Sequence, residues 1–329
     1  MMVIWKQFQY TQFGRLNQAR GAFSLAKEGA DALQCKGTPA FPGGRYVCNN
    51  FAAKAVSTLN STHFDDSLRP ESWQMRLTSA ALGRGDIHYE HTLDSTNVQL
   101  RRMALAGAPH GSVCLCECQT AGRGRLGRSW HSPEGQGLWV SVLARPKLTP
   151  EQAPLVTLVT AMAMQQAVID LTGTDVAIKW PNDLVLHGKK ICGILLEVSA
   201  DMEGLHHIII GTGLNVLRGA YPPELAHQAT CLAENCTPPA RGELLARYLQ
   251  HLETLLGQLE RGGFEAVRHA YEQNCCTIGQ RVRVTGGMEL TGTAEGIDAD
   301  GALLVREDDG KLTRVLAGDV SVRGVMGYV

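Results

Sequence analysis

In the stretch QTAGRGRLGRSW, residues 119–130, Gly122, Gly124 and Gly127 interleave with Arg123, Arg125 and Arg128, and no acidic side chain within it neutralises them. Glycine tolerates φ > 0 and lets backbone N–H groups close on a ligand. Guanidinium forks bond phosphate or carboxylate oxygens in pairs. The chemistry suggested is anion capture, against the plainer reading of a solvated basic loop. The run also spells G-x-G-x-x-G after a strand-like segment, but it is no dinucleotide fingerprint. Ser132-Pro133-Glu134-Gly135 breaks the helix that should follow, and no acid falls between Glu134 and Glu151. A P-loop is absent too, because Gly188 is followed by Lys189 and Lys190.

Further polar groups recur along the chain: Ser95-Thr96-Asn97, Lys179-Trp180-Pro181-Asn182-Asp183 with Lys190, and Gly211-Thr212-Gly213-Leu214-Asn215. Each has a plainer alternative. Ser95 and Thr96 also suit helix N-caps, Trp130 and Trp180 suit a core, and Asp183 suits either Mg²⁺ or the cap of a turn, with Lys179 as its ion-pair partner. Cys114, Cys116 and Cys118 alternate within an apolar run, which fits small core residues better than a metal site. Cys275 and Cys276 read as structural.

The elements that must position these groups are legible in outline. A strand over 87–92 leads through Asp94-Ser95-Thr96-Asn97 into a helix ending near Ala106, before Gly107. Strands follow over 113–119 and 137–144, flanking the arginine loop. Pro150-Glu151 opens a long helix whose Leu155, Leu158, Val159, Met162, Gln166 and Ile169 fall mostly at helical spacing, giving one apolar face. Strands over 176–180, 184–186 and 191–198 follow, the last two joined by the turn His187-Gly188-Lys189-Lys190. A strand over 208–216 is interrupted by Gly211 and Gly213, and helices cover 243–261 and 264–273. From Gly279 short apolar runs between Gly and Asp turns predict a small, separate β-barrel.

With 329 residues the chain holds about two domains, and a net charge of −1 with 19% charged residues excludes a broadly basic nucleic-acid surface. To residue 75 there are eight Lys and Arg against five Asp and Glu, so no basic arm and no DNA-binding module is indicated there. Residues 1–76 read as an extension, disordered or weakly structured, which adds neither catalysis nor nucleic-acid binding, with a folded regulatory module as the second reading. Ten cysteines without a signal peptide argue against a secreted disulfide framework, and no apolar run of about 18 residues suggests a bilayer span. The expectation is a reduced, cytoplasmic protein with no membrane partner.

The order of the four polar clusters, with GRGRLGR and KWPND paired in one chain, closely resembles the biotin protein ligases over residues 78–329. That resemblance implies an α/β (α+β) fold: a biotin- and ATP-binding domain over 77–274, related to class II aminoacyl-tRNA synthetases, followed by a small SH3-like barrel over 275–329. It implies that biotin and ATP, with Mg²⁺, form biotinyl-5′-adenylate, and that a lysine of a carboxylase's biotin carboxyl carrier domain then takes the biotinyl group. Lys190 and Arg125 are the expected catalytic groups. The expected biotin contacts are Ser95, Thr96, Asn97, Gln119, Arg123, Gly124, Arg125 and Lys190. The nucleotide should meet Arg123, Arg125, Arg128, Trp130, Lys179, Asn182, Asp183 and Asn215, with Asp183 the candidate for Mg²⁺. A homodimer is compatible with this reading. Leu126 stands where the family often has another basic residue. The rivals are a lipoate or octanoate ligase and a bifunctional ligase and repressor, the latter disfavoured by the composition of the first 75 residues.

Overall fold

Strand β2 (Val113–Gln119) shows how the core is divided. Side chains alternate across a strand, so Val113 and Leu115 join the larger apolar core, while Cys114 and Cys116 pack with Leu100, Trp139, Leu143 and Ile209 on the other face. The computed structural model describes residues 66–318 and 320–324; the extension expected over 1–76 lies outside them up to residue 65. Burial pushes the Cys116 thiol up to about 12 and raises Cys114 as well, so both behave as small apolar side chains.

A seven-stranded sheet has the order β1-β2-β3-β7-β6-β5-β4. Its members are β1 (Ile87–Leu93), β2, β3 (Gly137–Ala144), β4 (Ala177–Lys179), β5 (Asp183–Leu186), β6 (Lys189–Asp201) and β7 (Gly204–Asn215). β1 and β2 are parallel, joined by a short helix called α2 (Thr96–Leu105) that covers the cysteine face; the other pairings are antiparallel. On the opposite face lie α3 (Leu155–Thr172) and α4 (Arg241–Gly262), with α5 (Glu265–Gln273) beyond. A four-residue helix, α1 (Pro70–Trp73), precedes them all.

Several expectations need correction. α3 is apolar almost all round rather than on one face: Val156, Ala161, Ala163 and Met164 are buried together with Leu155, Leu158 and Val159. It is therefore long and apolar enough to cross a membrane, contrary to the expected lack of such a run, but it is 67% buried between the sheet and α4. Residues 66–76 are packed, not a loose extension. Leu68 and Trp73 are fully buried, and the Asp66 carboxylate accepts the Arg241 N–H at 2.9 Å and its Nε–H at 3.0 Å. The turn before β6 is only His187-Gly188, both with φ > 0, so Lys190 sits on a strand rather than in a turn.

The C-terminal strands β8 (Arg281–Gly286), β9 (Leu290–Ile297), β10 (Leu303–Glu307), β11 (Leu312–Val315) and β12 (Val320–Gly324) form an antiparallel sheet in the order β11-β10-β9-β8-β12. Its apolar side is continuous with the rest of the core. Val282, Leu303, Val305 and Val322 belong to the same apolar core as α3 and α4. Gly301, at φ +77°, lies where a Cβ would meet the side chains of Leu155 and Leu158, and its carbonyl accepts the Trp180 indole N–H at 3.0 Å.

Candidate functional site

The arginine loop is a small hairpin closed at its base by backbone bonds from Gly124 to Arg128 (2.7 Å) and from Trp130 to Gly122 (2.9 Å). Its tip turns through Leu126 (φ 56°) and Gly127 (φ 72°), and Leu126 projects half-exposed into solvent. Arg125 does not. Its guanidinium donates to the Asn182 side-chain oxygen at 2.8 Å and to the carbonyls of Ala317, Gly318 and Val320, so the loop is stapled to the C-terminal sheet.

Two cavities meet beneath this loop. The smaller, about 50 Å³, is walled by Ser95, Thr96, Asn97, Gln119 and Arg123, with Gly193, Gly211 and Gly213 in its floor. The larger, about 370 Å³, is lined by Arg128, Lys179, Asp183, Asn215 and, from β12, Arg323. Gly124, Arg125, Trp130, Asn182 and Lys190 border both. The expected biotin and nucleotide contacts therefore all line one or the other of these adjoining cavities. The glycines do not interrupt β7: Gly211 makes room for the Asn97 side chain, and a Cβ at Gly213 would lie 2.5 Å from the Trp130 indole nitrogen.

Hydrogen bonds fix the wall of the smaller cavity. Ser95 occupies the N-cap position of α2 without a side-chain cap bond, and the Thr96 N–H and hydroxyl both donate to the Gln119 amide oxygen, at 2.9 and 3.2 Å. The capping alternative thus fails for both side chains. Gln119 donates in turn to the Ser132 hydroxyl at 2.8 Å. The Ser141 hydroxyl lies 2.6 Å from the Asn97 amide oxygen and 2.8 Å from the Thr96 hydroxyl. Ser141 was missed by the sequence reading, as was Glu197, which accepts hydrogen bonds from Arg123 and Asn97 at 3.2 Å each. A lone Ser inside the apolar run of β3 was the available signal for the first; a lone Glu on a strand gives none.

The larger cavity concentrates charge. Lys190 Nζ lies 2.5 Å from Asp183 Oδ1 and 5.2 Å from the centre of the Trp130 ring. Its backbone is held on both sides, donating to Gln228 O at 2.8 Å and accepting from Thr230 N–H at 2.9 Å. Lys179 is buried, and desolvation depresses its pKa to about 8, with Lys190 and Arg323 adding to the fall and Asp183 opposing it. Asn215 anchors the cavity margin by donating to Thr230 O at 3.0 Å. Trp180 is a core residue at 1% exposure, whereas the Trp130 Nε1 is buried without a hydrogen-bond partner at the junction of the cavities. Such a buried unpaired donor is costly.

Residues 89–215 match the biotin/lipoate A/B protein ligase family and residues 277–323 the biotin protein ligase C terminal domain. The chain is 34% identical over 243 residues to the bifunctional ligase/repressor BirA of Bacillus subtilis, covering 71% of this chain and 73% of that protein. It is 33% identical over 267 residues to the biotin--[acetyl-CoA-carboxylase] ligase of Mycobacterium tuberculosis, covering 78% of this chain and 97% of that one. The structure resembles the biotin protein ligase of Aquifex aeolicus in complex with biotin and ATP, with a TM-score of 0.65 and 29% identity over 73% of this chain and 99% of the other.

Proposed function

The chain belongs to the biotin protein ligase family, and we propose from that premise that it joins biotin to a carrier-domain lysine of a carboxylase at the expense of ATP. The observation that carries the reading is the shared border of the two cavities at Lys190, Arg125 and Trp130. A bicyclic urea needs hydroxyls, an amide and backbone groups around it, which Ser95, Thr96, Asn97 and Gln119 supply. Its carboxylate then points to the border, where it meets the nucleotide's α-phosphate.

Two anions must approach there, and cations fixed beforehand lower the barrier. Lys190, immobilised through its backbone and through Asp183, sits between the reacting groups, with Arg123 and Arg128 on the loop side. A carboxylate oxygen bonds to the α-phosphorus, the bond from phosphorus to the bridging oxygen breaks, and pyrophosphate leaves. The neutral amine of the carrier lysine next attacks the acyl carbon, the acyl–oxygen bond breaks and AMP leaves. Mg²⁺ fits as a companion of the triphosphate, since it is often held by one or two carboxylates plus phosphate oxygens. Asp183 is the carboxylate at hand, already neutralised by Lys190; Mg²⁺ would shield phosphate charge there. The smaller cavity is far below the volume of ordinary ligand sites, about 300–1,000 Å³, so Trp130 must lift from Gly193 and Gly213 to admit biotin before the loop closes against water.

In finer classification, we read the sheet with its helices as class II aminoacyl-tRNA synthetase-like and the C-terminal sheet as SH3-like. Eight described cysteines, all unpaired, suit a reducing compartment such as the cytoplasm. The test is an omission assay with labelled biotin, ATP, Mg²⁺ and a biotin carrier domain. Label should reach the carrier only when all are present; transfer of lipoate or octanoate with none of biotin overturns the proposal.

A further inference from the structure

Glu197 sits on β6 just behind the smaller cavity, outside its lining, with its side chain 20% exposed. Its Oε1 accepts from Arg123 Nη1 and from Asn97 Nδ2, each at 3.2 Å, and its Oε2 accepts from Arg101 Nη1 at 3.4 Å. One carboxylate thus gathers a donor from the arginine loop and two from α2.

The consequence for the cavity follows from donor and acceptor bookkeeping. An amide has one end that donates and one that accepts. With Asn97 Nδ2 held by the carboxylate at 3.2 Å and more loosely by the Leu195 carbonyl at 3.5 Å, its Oδ1 must face the Ser141 hydroxyl, which lies fully buried 2.6 Å away. Ser141 touches Thr96, Thr96 bonds Gln119, Gln119 bonds Ser132, and the Ser132 hydroxyl leans on the Trp130 carbonyl at the base of the loop. The loop returns to Glu197 through Arg123, whose position is set by its bridge to Ser129. The bonds close a ring around the smaller cavity, and Glu197 is its only carboxylate.

We infer that Glu197 is a positioning residue: its charge orients the Asn97 amide and seats the arginine loop through Arg123, so that the cavity's polar wall is set before the ligand arrives. This rests on the proposed biotin ligase reading. Glu197→Gln keeps the shape and removes the charge, leaving Arg123 and Arg101 side by side without a counter-ion. Hydrogen bonds to a charged group are the stronger class, and losing that charge is worth about tenfold in an equilibrium.

The experiment measures pyrophosphate release at varied biotin, together with the rate of tryptic cleavage in the loop, for the full chain, Glu197→Gln and Arg101→Ala. Glu197→Gln should raise KM for biotin about tenfold with kcat within about threefold of wild type, and loop cleavage should be several-fold faster at an unchanged melting temperature. Arg101→Ala, which removes only an exposed partner, should match wild type in all of these. An unchanged KM and cleavage rate in Glu197→Gln overturns the inference, and so does a fall in kcat and melting temperature together, which would mark a merely structural ion pair. Wild type that releases no pyrophosphate with biotin instead sinks the ligase reading itself, while the cleavage comparison still decides whether Glu197 seats the loop.

Discussion

At the scale of single residues, the larger cavity sets three charged groups against one another, and their burial decides what each can do. Lys190 lies against Asp183 on rigid strands, so Lys190→Met removes a preorganised cation rather than a mobile one. Loss of one such donor typically costs about 3 kcal/mol of barrier, so adenylate formation should slow about a hundredfold to a thousandfold. A stopped assay of pyrophosphate release reads it, and a loss below tenfold would remove Lys190 from the reaction centre. Lys179 makes a pH prediction. Its folded pKa, about 8, is below its ordinary 10.5 because burial penalises the charge. Between those values the unfolded chain binds more protons, so stability from this group rises with pH across that window and is flat below it. The unfolding free energy of wild type relative to Lys179→Met should therefore climb from about pH 8 upward; a difference independent of pH would mean the lysine keeps its proton.

At the scale of elements, sequence patterning located β2 and β3 to the residue, because a strand buried on both faces reads as the nearly continuous apolar run seen over 113–119 and 137–144. It also gathered most of the site, since glycines and arginines at that spacing have few structural uses. It failed where local chemistry carries no period. Leu68 and Trp73 lie in a segment broken by Pro70, with too few apolar residues to show a repeat, yet they complete the pocket beside α4. The Lys190 turn was read two residues too long because Lys189 and Lys190 look like turn residues. Glu197 was invisible because its partners come from elements about 75 to 100 residues away. The misread segment gives a test. A chain starting at Asp66 should keep activity and fold, whereas one starting at Met75 should be destabilised, and Trp73→Ala alone should cost about 3–5 kcal/mol in denaturant unfolding. Equal stability of the two truncated chains would show that the contacts of α1 are idle.

At the scale of the whole molecule, the two regions matched by separate families share one apolar core and are tied further by hydrogen bonds, among them the Trp180 bond to Gly301 and the Arg125 fork on the carbonyls around Gly318. Arg125→Ala should cut the second tie and open the loop, so that reactive adenylate escapes and labels lysines of bystander proteins. Labelling still confined to the carrier would confine Arg125 to contacts with ATP. The shared core has a calorimetric meaning as well. Domains that meet only through a small polar interface melt as separate peaks, whereas a continuous core makes opening one part expose the other. Residues 66–324 should give a single endotherm whose calorimetric and van't Hoff enthalpies agree, and biotin with ATP should move that whole peak upward by mass action rather than splitting it. Two resolved peaks would mean that the C-terminal sheet can leave while the catalytic sheet stands.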